Sequence, residues 1–308
     1  MSDRRVLISG ASGLIGTALG PALASDGLRV ERLTRGRPPH PAEIAWDPRA
    51  GLLDLPSLEG LDAVVHLAGE SIAQRWTRSA RQRIRESRVR GTRLLSESLA
   101  RLEHPPRAIV AASAVGYYGS RGDERLREDA PPGTGFLAEV ARDWEAATDP
   151  ARDAGIRVVN LRTGVVLSAR GGALAKLLPL FRLGLGGPLG DGRQWMSWIL
   201  IDDLVAAIRH LLAREDLGGP VNAVAPEPVS NAEFARTLGA VLGRPAALPA
   251  PAFALRLLMG REMADATLLG GQRVLPARLL DSGFRFQAPT LAAALRRALA
   301  RDGTGGDA

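Results

Sequence analysis

The segment at residues 6–16 constrains the fold of this chain more than any other stretch. A short apolar run leads directly into Gly10, Gly13 and Gly16, and an apolar, alanine-rich segment follows them. This order predicts a buried parallel strand, a tight turn and a helix. Gly10 permits the turn, Gly13 lets the main chain approach a pyrophosphate, and Gly16 allows the helix to pack closely on the strand. The free N–H groups at the start of the helix would then face the anion.

The spacing of these glycines, Gly-x-x-Gly-x-x-Gly, differs from the Gly-x-Gly-x-x-Gly pattern of ordinary dinucleotide dehydrogenases. With 35 glycines in 308 residues, such a triplet also arises by chance, so a simple βα turn stays open as an alternative. Its position after the first apolar strand favours a nucleotide site, because dinucleotide-binding folds carry their phosphate-binding turn there.

The end of the second predicted strand, at residues 28–34, distinguishes NAD from NADP. An acidic residue there would hydrogen-bond the ribose 2′-hydroxyl of NAD, whereas a cation would pair with the 2′-phosphate of NADP. The chain carries Thr34 and Arg35 at this point and no acid. A guanidinium offers two parallel donors to a phosphate. The sequence therefore favours NADP(H) with Arg35 as the phosphate clamp, and a solvated loop arginine is the alternative.

Composition limits the other classes of protein. There is no cysteine, and the four histidines lack metal-ligand spacing, so we expect neither disulfides nor a metal site. His66 lies inside an apolar run and is predicted to be a core residue. The net charge of +7 comes from 40 basic residues, all arginines except Lys176. Because they are interleaved with acids, we expect no nucleic-acid partner.

The order of elements predicts an α/β chain. Strands and helices alternate as far as residue 168, which predicts a Rossmann-type, doubly wound parallel sheet at residues 1–168, completed from about residues 195–225. Residues 169–300 predict a smaller, mostly helical substrate lobe, and residues 301–308 a disordered tail. No run of 18 apolar residues or signal segment is present, so we expect a cytoplasmic protein without a membrane span. A homodimer is allowed by the sequence but not indicated.

Several longer motifs resemble the extended short-chain dehydrogenase/reductase superfamily, and more narrowly its atypical "epimerase family" branch of oxidoreductases. The likeness runs from about residue 5 to residue 300 and is carried by Gly10–Gly16, Leu67-Ala68-Gly69-Glu70, Ser87-Arg88, Ser113–Gly119, Leu161–Leu167, Phe181–Pro188, Trp198–Asp203 and Gly270–Arg273. The resemblance implies a Rossmann fold that binds NADP(H) and a small extra C-terminal domain at about residues 246–300. It implies cofactor contacts from Gly10, Ser12, Gly13, Leu14, Ile15, Gly16, Thr34, Arg35, Leu67, Ala68, Gly69, Arg88 and Val165.

The usual catalytic pair of that superfamily, Tyr-x-x-x-Lys, is missing. The chain contains only two tyrosines, Tyr117 and Tyr118, and one lysine, and none lies four residues from another. Phe136 and Val140 occupy the expected spacing in the helix where the pair belongs. A hydride-transfer enzyme of this kind therefore needs a different proton donor.

Three residues are the catalytic candidates. Ser113 resembles the superfamily serine that hydrogen-bonds the reacting carbonyl oxygen, and Tyr117 or Tyr118 could relay the proton. A nearby cation such as Arg162 would lower the pKa of a phenol from its usual value near 10. The alternative is that both tyrosines pack structurally beside the cofactor.

Two classes of function follow. The first is an NADP(H)-dependent oxidoreductase, or a nucleotide-sugar-epimerase-like protein, that acts on a small carbonyl or hydroxyl substrate by hydride transfer. The second is a non-catalytic NADPH-binding sensor, which the missing Tyr-x-x-x-Lys pair favours.

Overall fold

The structure, a computed structural model, describes residues 4–36 and 40–300; the predicted tail at 301–308 lies outside them. Its strands are β1 (Arg5–Ser9), β2 (Arg29–Thr34), β3 (Glu43–Asp47), β4 (Leu52–Leu53), β5 (Ala63–His66), β6 (Ala108–Ala114), β7 (Arg125–Leu126), β8 (Arg157–Thr163), β9 (Val165–Leu167), β10 (Trp195–Met196), β11 (Trp198–Leu200), β12 (Gly219–Ala223), β13 (Val229–Ser230) and β14 (Arg273–Val274). Its helices are α1 (Leu14–Ser25), α2 (Arg78–Leu99), α3 (Phe136–Ala146), α4 (Asp149–Asp153), α5 (Gly172–Arg182), α6 (Ile201–Ala213), α7 (Asn231–Leu242), α8 (Ala252–Met259), α9 (Arg261–Thr267), α10 (Ala277–Asp281) and α11 (Leu291–Ala300).

The main sheet has eight strands in the order β12-β8-β6-β5-β1-β2-β3-β4. Every neighbouring pair is parallel except β3 and β4, which are antiparallel. The chain winds outward from β1 in both directions, so the strand order reverses between β1 and β5. This topology confirms the predicted doubly wound Rossmann-type sheet, and it places the predicted cofactor turn at the switch point where such sheets bind ligands.

Helices cover both faces of this sheet. On one face, α1 and α6 pack on the strands through Leu19, Leu23 and Ile208. On the other, Leu95 and Leu99 of α2 are buried with the neighbouring strands. Consecutive strand residues are buried in opposite cores, which explains why the strands read as continuous apolar runs.

The C-terminal part is mostly helical. In this part, β12 joins the main sheet by pairing with β8. Outside the main sheet, β10 pairs with β13 and β11 pairs with β9. Side chains of α5, α7, α11 and β11 form a second core. The division at residue 168 and the extra domain at 246–300 stay predictions. In the part of the chain that the structure describes, no helix is both long and apolar enough to cross a membrane.

Candidate active site

The glycine turn follows β1 at the carboxyl edge of the sheet. Gly10 has a φ of +69°, in the left-handed region that favours glycine. A Cβ at Gly10 would lie 2.9 Å from the main-chain nitrogen of Ala68, and one at Gly16 would lie 2.4 Å from the carbonyl oxygen of Gly10. Gly13 is the N-cap of α1 and supplies no capping side chain. The first N–H groups of α1 are therefore left for an external acceptor.

The segment Leu67-Ala68-Gly69 lies directly against this turn. It follows β5, and the hydroxyl of Ser9 accepts hydrogen bonds from the N–H groups of Leu67 (3.1 Å) and Ala68 (3.3 Å). The same hydroxyl is 2.6 Å from Nδ1 of His66. The glycine turn and this segment are therefore in contact.

His66 is a core residue, in agreement with the sequence prediction. Its ring is fully buried, and Nε2 lies 3.0 Å from the Thr92 hydroxyl. Burial lowers the pKa of His66 from 6.5 to about 4. The neutral ring links the end of β5 to α2.

The two predicted 2′-phosphate residues lie at the end of β2. Thr34 is half-buried and Arg35, which follows the strand, is exposed. Because β1 and β2 are adjacent and parallel, their carboxyl ends lie at the same edge of the sheet. Arg35 is thus positioned at the edge that carries the glycine turn, with its guanidinium accessible to a ligand.

Arg88 of α2 lies beside Gly69, where a Cβ on the glycine would be 3.3 Å from the guanidinium carbon. Its Nη1 donates to the carbonyl oxygens of Glu70 (2.8 Å) and Ile84 (3.2 Å). Its guanidinium also lies 5.0 Å from the ring centre of Trp144. Burial lowers the pKa of Arg88 to about 10, against the opposing charge of Glu70. Arg88 therefore remains charged at neutral pH.

Adjacent strands place three polar residues side by side. Ser113 in β6 is aligned with Arg162 in β8, which is aligned with Asn222 in β12. All three are buried. A polar row of this kind inside a sheet needs internal partners, because burying an unpaired charge or donor is costly.

Glu145 of α3 supplies the partner for two of them. Its carboxylate accepts bonds from Nε and Nη2 of Arg162, each at 2.8 Å, and from the Ser113 hydroxyl at 2.6 Å. A carboxylate paired with a guanidinium can only accept, so Ser113 must donate. In this arrangement the lone pairs of Ser113, not its proton, are available to a ligand. That differs from the expected donation by Ser113 to a substrate carbonyl.

Tyr118 is a further partner of Arg162. Its side chain is fully buried, its hydroxyl donates to Oδ1 of Asn222 (2.7 Å), and it accepts from Nη1 of Arg162 (2.9 Å). Burial raises the pKa of Tyr118 to about 12, and this outweighs the opposing effects of Arg162 and Asn222. The lowered phenol pKa expected from a nearby cation is therefore wrong for Tyr118.

Tyr117 has a different environment. It is half-buried, and the Arg162 guanidinium lies 3.5 Å from its ring centre. Its ring meets that of Tyr118 edge-on, with centroids 5.4 Å apart. Within residues 4–36 and 40–300, the structure shows no hydrogen bond to the Tyr117 hydroxyl. Of the two phenols, Tyr117 is the one whose proton is not already engaged.

One cavity adjoins the glycine turn, and a second adjoins the loop that follows Ser113. The first, about 370 Å³, lies at the start of α1 and is lined by Ser12, Gly13, Leu14, Thr17, Ser168, Arg170 and Asp202, among others. The second, about 510 Å³, is lined by Trp76, Gly116, Gly119, Ser120, Thr134, Gly135, Phe136, Leu137, Ala138, Arg261, Glu262, Asp265, Ala266 and Gln272. We call the second cavity the aromatic cleft. It lies between the loop that follows Ser113, the start of α3, and α9.

Other predicted contacts occupy the same edge. Ile15 is half-buried in the first turn of α1. Val165 begins β9 just after β8, and its N–H donates to the Ser197 carbonyl at 2.8 Å.

Sequence reasoning missed Glu145, Asn222 and Arg170. A buried arginine in an apolar strand signals that a carboxylate partner exists, but that partner lies 17 residues away on another element.

Comparisons with known proteins agree with this architecture. Residues 6–224 match the model of the NAD dependent epimerase/dehydratase family, and residues 250–298 match a domain of unknown function, DUF1731. The chain therefore belongs to the NAD-dependent epimerase/dehydratase family of extended short-chain dehydrogenases, and the sequence resemblance is confirmed.

Its relatives share nearly the whole chain. An epimerase family protein of Mycobacterium tuberculosis is 45% identical over 98% of this chain and 100% of its own length. The human epimerase family protein SDR39U1 is 40% identical over 96% of this chain and 100% of its own. The crystal structure of human SDR39U1 (isoform 2) with NADPH superimposes with a TM-score of 0.88, covering 96% of this chain and 99% of that one. Structures of UDP-sugar enzymes at 16–23% identity share the fold alone.

Proposed function

We propose that this protein is an NADP(H)-dependent oxidoreductase that acts on small carbonyl or hydroxyl compounds by hydride transfer. The observation that carries the proposal is the glycine turn at the switch point of the sheet, with the exposed Arg35 at the end of the neighbouring strand. The human relative that was crystallised with NADPH supports the choice of NADP(H) over NAD(H).

The residues at this edge fit such a cofactor. A Cβ at Gly10 or Gly16 would collide with main-chain atoms, so both glycines keep the turn tight and let it present the first N–H groups of α1 to a phosphate. Gly13, Ser12, Leu14 and Ile15 would hold the pyrophosphate, with the exposed Arg170 at the rim of the same cavity. Thr34 and Arg35 would hold the 2′-phosphate, and the remaining contacts would come from Leu67, Ala68, Gly69, Arg88 and Val165. When bound, the nicotinamide supplies or accepts the hydride.

Tyr117 is the proton donor in this proposal. Hydride transfer to a carbonyl leaves an oxyanion that must be protonated, and a positioned acid contributes roughly 10²–10⁴-fold. The Tyr117 hydroxyl has no hydrogen-bond partner in the described residues, whereas that of Tyr118 is engaged by Arg162 and Asn222. Tyr118 acts as a positioning residue that holds Arg162 against the Tyr117 ring. Ser113, which donates to Glu145, accepts a hydrogen bond from the hydroxyl form of the substrate.

The test is turnover of a panel of aldehydes, ketones and alcohols, followed by absorbance at 340 nm. For a substrate that is turned over, Tyr117→Phe should lower kcat by roughly 10²-fold or more. Tyr118→Phe is the matched variant, and it should lower thermal stability while retaining more of kcat. Full kcat in Tyr117→Phe would contradict the assignment of the proton donor.

A non-catalytic NADPH sensor is the second candidate. The observation in its favour is that Phe136 and Val140 replace the catalytic pair in α3, where both are buried. A sensor should bind NADPH tightly and convert no member of the panel. Substrate-dependent loss of NADPH, or product formed without net NADPH consumption, excludes it.

A further inference from the structure

We infer that the aromatic cleft takes a small carbonyl or hydroxyl compound with an apolar, aromatic-sized body, and not a nucleotide sugar. The inference rests on the proposed function and names its substrate class. The cleft begins at Gly116 and Gly119, in the loop directly after Ser113 and around Tyr117. A substrate bound there lies against the loop that carries Tyr117, the candidate proton donor.

One wall of the cleft is apolar. Trp76 and Phe136 form one side, with their rings edge-on and their centroids 5.1 Å apart. Leu137, Ala138 and Ala266 extend this surface. Burial of apolar area against this wall favours binding. A hexose would bind this wall poorly, because each sugar hydroxyl that leaves water needs a polar partner.

The charges at the mouth of the cleft are already paired. Arg81 binds Glu262 at 2.9 Å and covers the Phe136 ring at 4.6 Å. Arg256 binds Asp265 at 2.8 Å. A diphosphate is recognised through arginine forks, so it would have to displace one of these carboxylates and then lie beside it.

Arg261, which itself lines the cleft, does not change this conclusion. Arg261 lies 3.8 Å from Asp265, and its side chain is 88% exposed. A phosphate at Arg261 would therefore stay in water, where such contacts contribute little. The fold shared with UDP-sugar enzymes carries no substrate information by itself, since one fold hosts many sites.

The experiment is saturation-transfer NMR on the full-length protein with saturating NADP⁺, using acetophenone and UDP-glucose as the two probes. NADP⁺ binding is first established by calorimetry. Acetophenone should receive saturation, and UDP-glucose should not. Trp76→Ala should weaken acetophenone binding by about 10-fold through lost apolar contact. Leu137→Asp, which places a carboxylate in the wall, should abolish it.

Phe253→Ala is the matched control, because it removes an aromatic ring that is 74% exposed on α8 and outside the cleft lining. It should leave acetophenone binding unchanged. Transfer to UDP-glucose, no transfer to acetophenone, or acetophenone binding that is insensitive to both cleft variants would each overturn the inference. Failure of the calorimetric step, with acetophenone still bound in the cleft, would instead refute the proposed function.

Discussion

Protonation of His66 should destabilise the fold and disturb the hydrogen bonds that hold Leu67 and Ala68 beside the glycine turn. The neutral ring lies between the Ser9 hydroxyl, 2.6 Å from Nδ1, and the Thr92 hydroxyl, 3.0 Å from Nε2. The Ser9 hydroxyl also accepts hydrogen bonds from the N–H groups of Leu67 and Ala68. A second proton on the ring would make both ring nitrogens donors and force Ser9 or Thr92 to reorient.

The magnitude follows from the pKa values. Burial lowers the pKa of His66 from 6.5 to about 4, so the unfolded chain binds the proton more tightly than the folded chain does. The corresponding stability is fully present above pH 6.5 and is lost as the pH falls towards 4. One pKa unit is worth about 1.4 kcal/mol, so the loss amounts to about 3 kcal/mol.

The assay is urea unfolding followed by tryptophan fluorescence between pH 4 and pH 8, for the wild type and His66→Gln. Carboxylates also titrate in this range, so the relevant quantity is the free energy of unfolding of the wild type minus that of the variant. This difference should shrink by about 3 kcal/mol from pH 7 to pH 4. Burial and the nearby Arg214 also lower the pKa of the half-buried His210, and His210→Gln provides the matched variant, which should show a smaller change because the ring keeps more of its contact with water. A difference for His66→Gln that is constant with pH would refute the reasoning.

Two further predictions concern packing around the site. Glu145→Leu removes the carboxylate partner of Arg162, whose side chain is 3% exposed, and should lower the free energy of unfolding in urea by about 3–5 kcal/mol. Asp26→Asn, which breaks an exposed pair with Arg209, should cost less than about 1 kcal/mol, and equal losses would contradict the account. Gly16→Ala places a Cβ 2.4 Å from a carbonyl oxygen, whereas Gly20→Ala in the same helix meets nothing within 4 Å. Calorimetry should show weakened NADPH binding only for Gly16→Ala, and equal effects of both would contradict a packed glycine turn.

The sheet and its cofactor edge could be predicted from the sequence because their signals are local. The apolar run, the glycine spacing and the helix that follows are contiguous, and they define β1, the turn and α1 without knowledge of tertiary contacts. The prediction of Arg35 as the 2′-phosphate residue rests on an equally local signal, since the end of the strand after α1 is a fixed position in such folds.

The polar network around Ser113 could not be predicted, because it depends on register and on partners far apart in sequence. Ser113, Arg162 and Asn222 meet only because β6, β8 and β12 are aligned in one sheet. Whether Ser113 donates or accepts depends on Glu145, 32 residues away. The direction of the Tyr118 pKa shift likewise depends on burial, which outweighs the nearby charge of Arg162.

Calorimetric titration with NADPH and with NADH tests the central claim most directly. The account predicts saturable binding of NADPH, tighter than that of NADH. Arg35→Ala should weaken NADPH binding roughly 10- to 100-fold, because it removes charge-assisted hydrogen bonds to the 2′-phosphate, and should leave NADH binding unchanged. Arg32→Ala, which removes an exposed arginine from the same strand, should change neither. Absence of binding by both nucleotides, or an equal loss of NADPH and NADH binding in Arg35→Ala, would contradict the account.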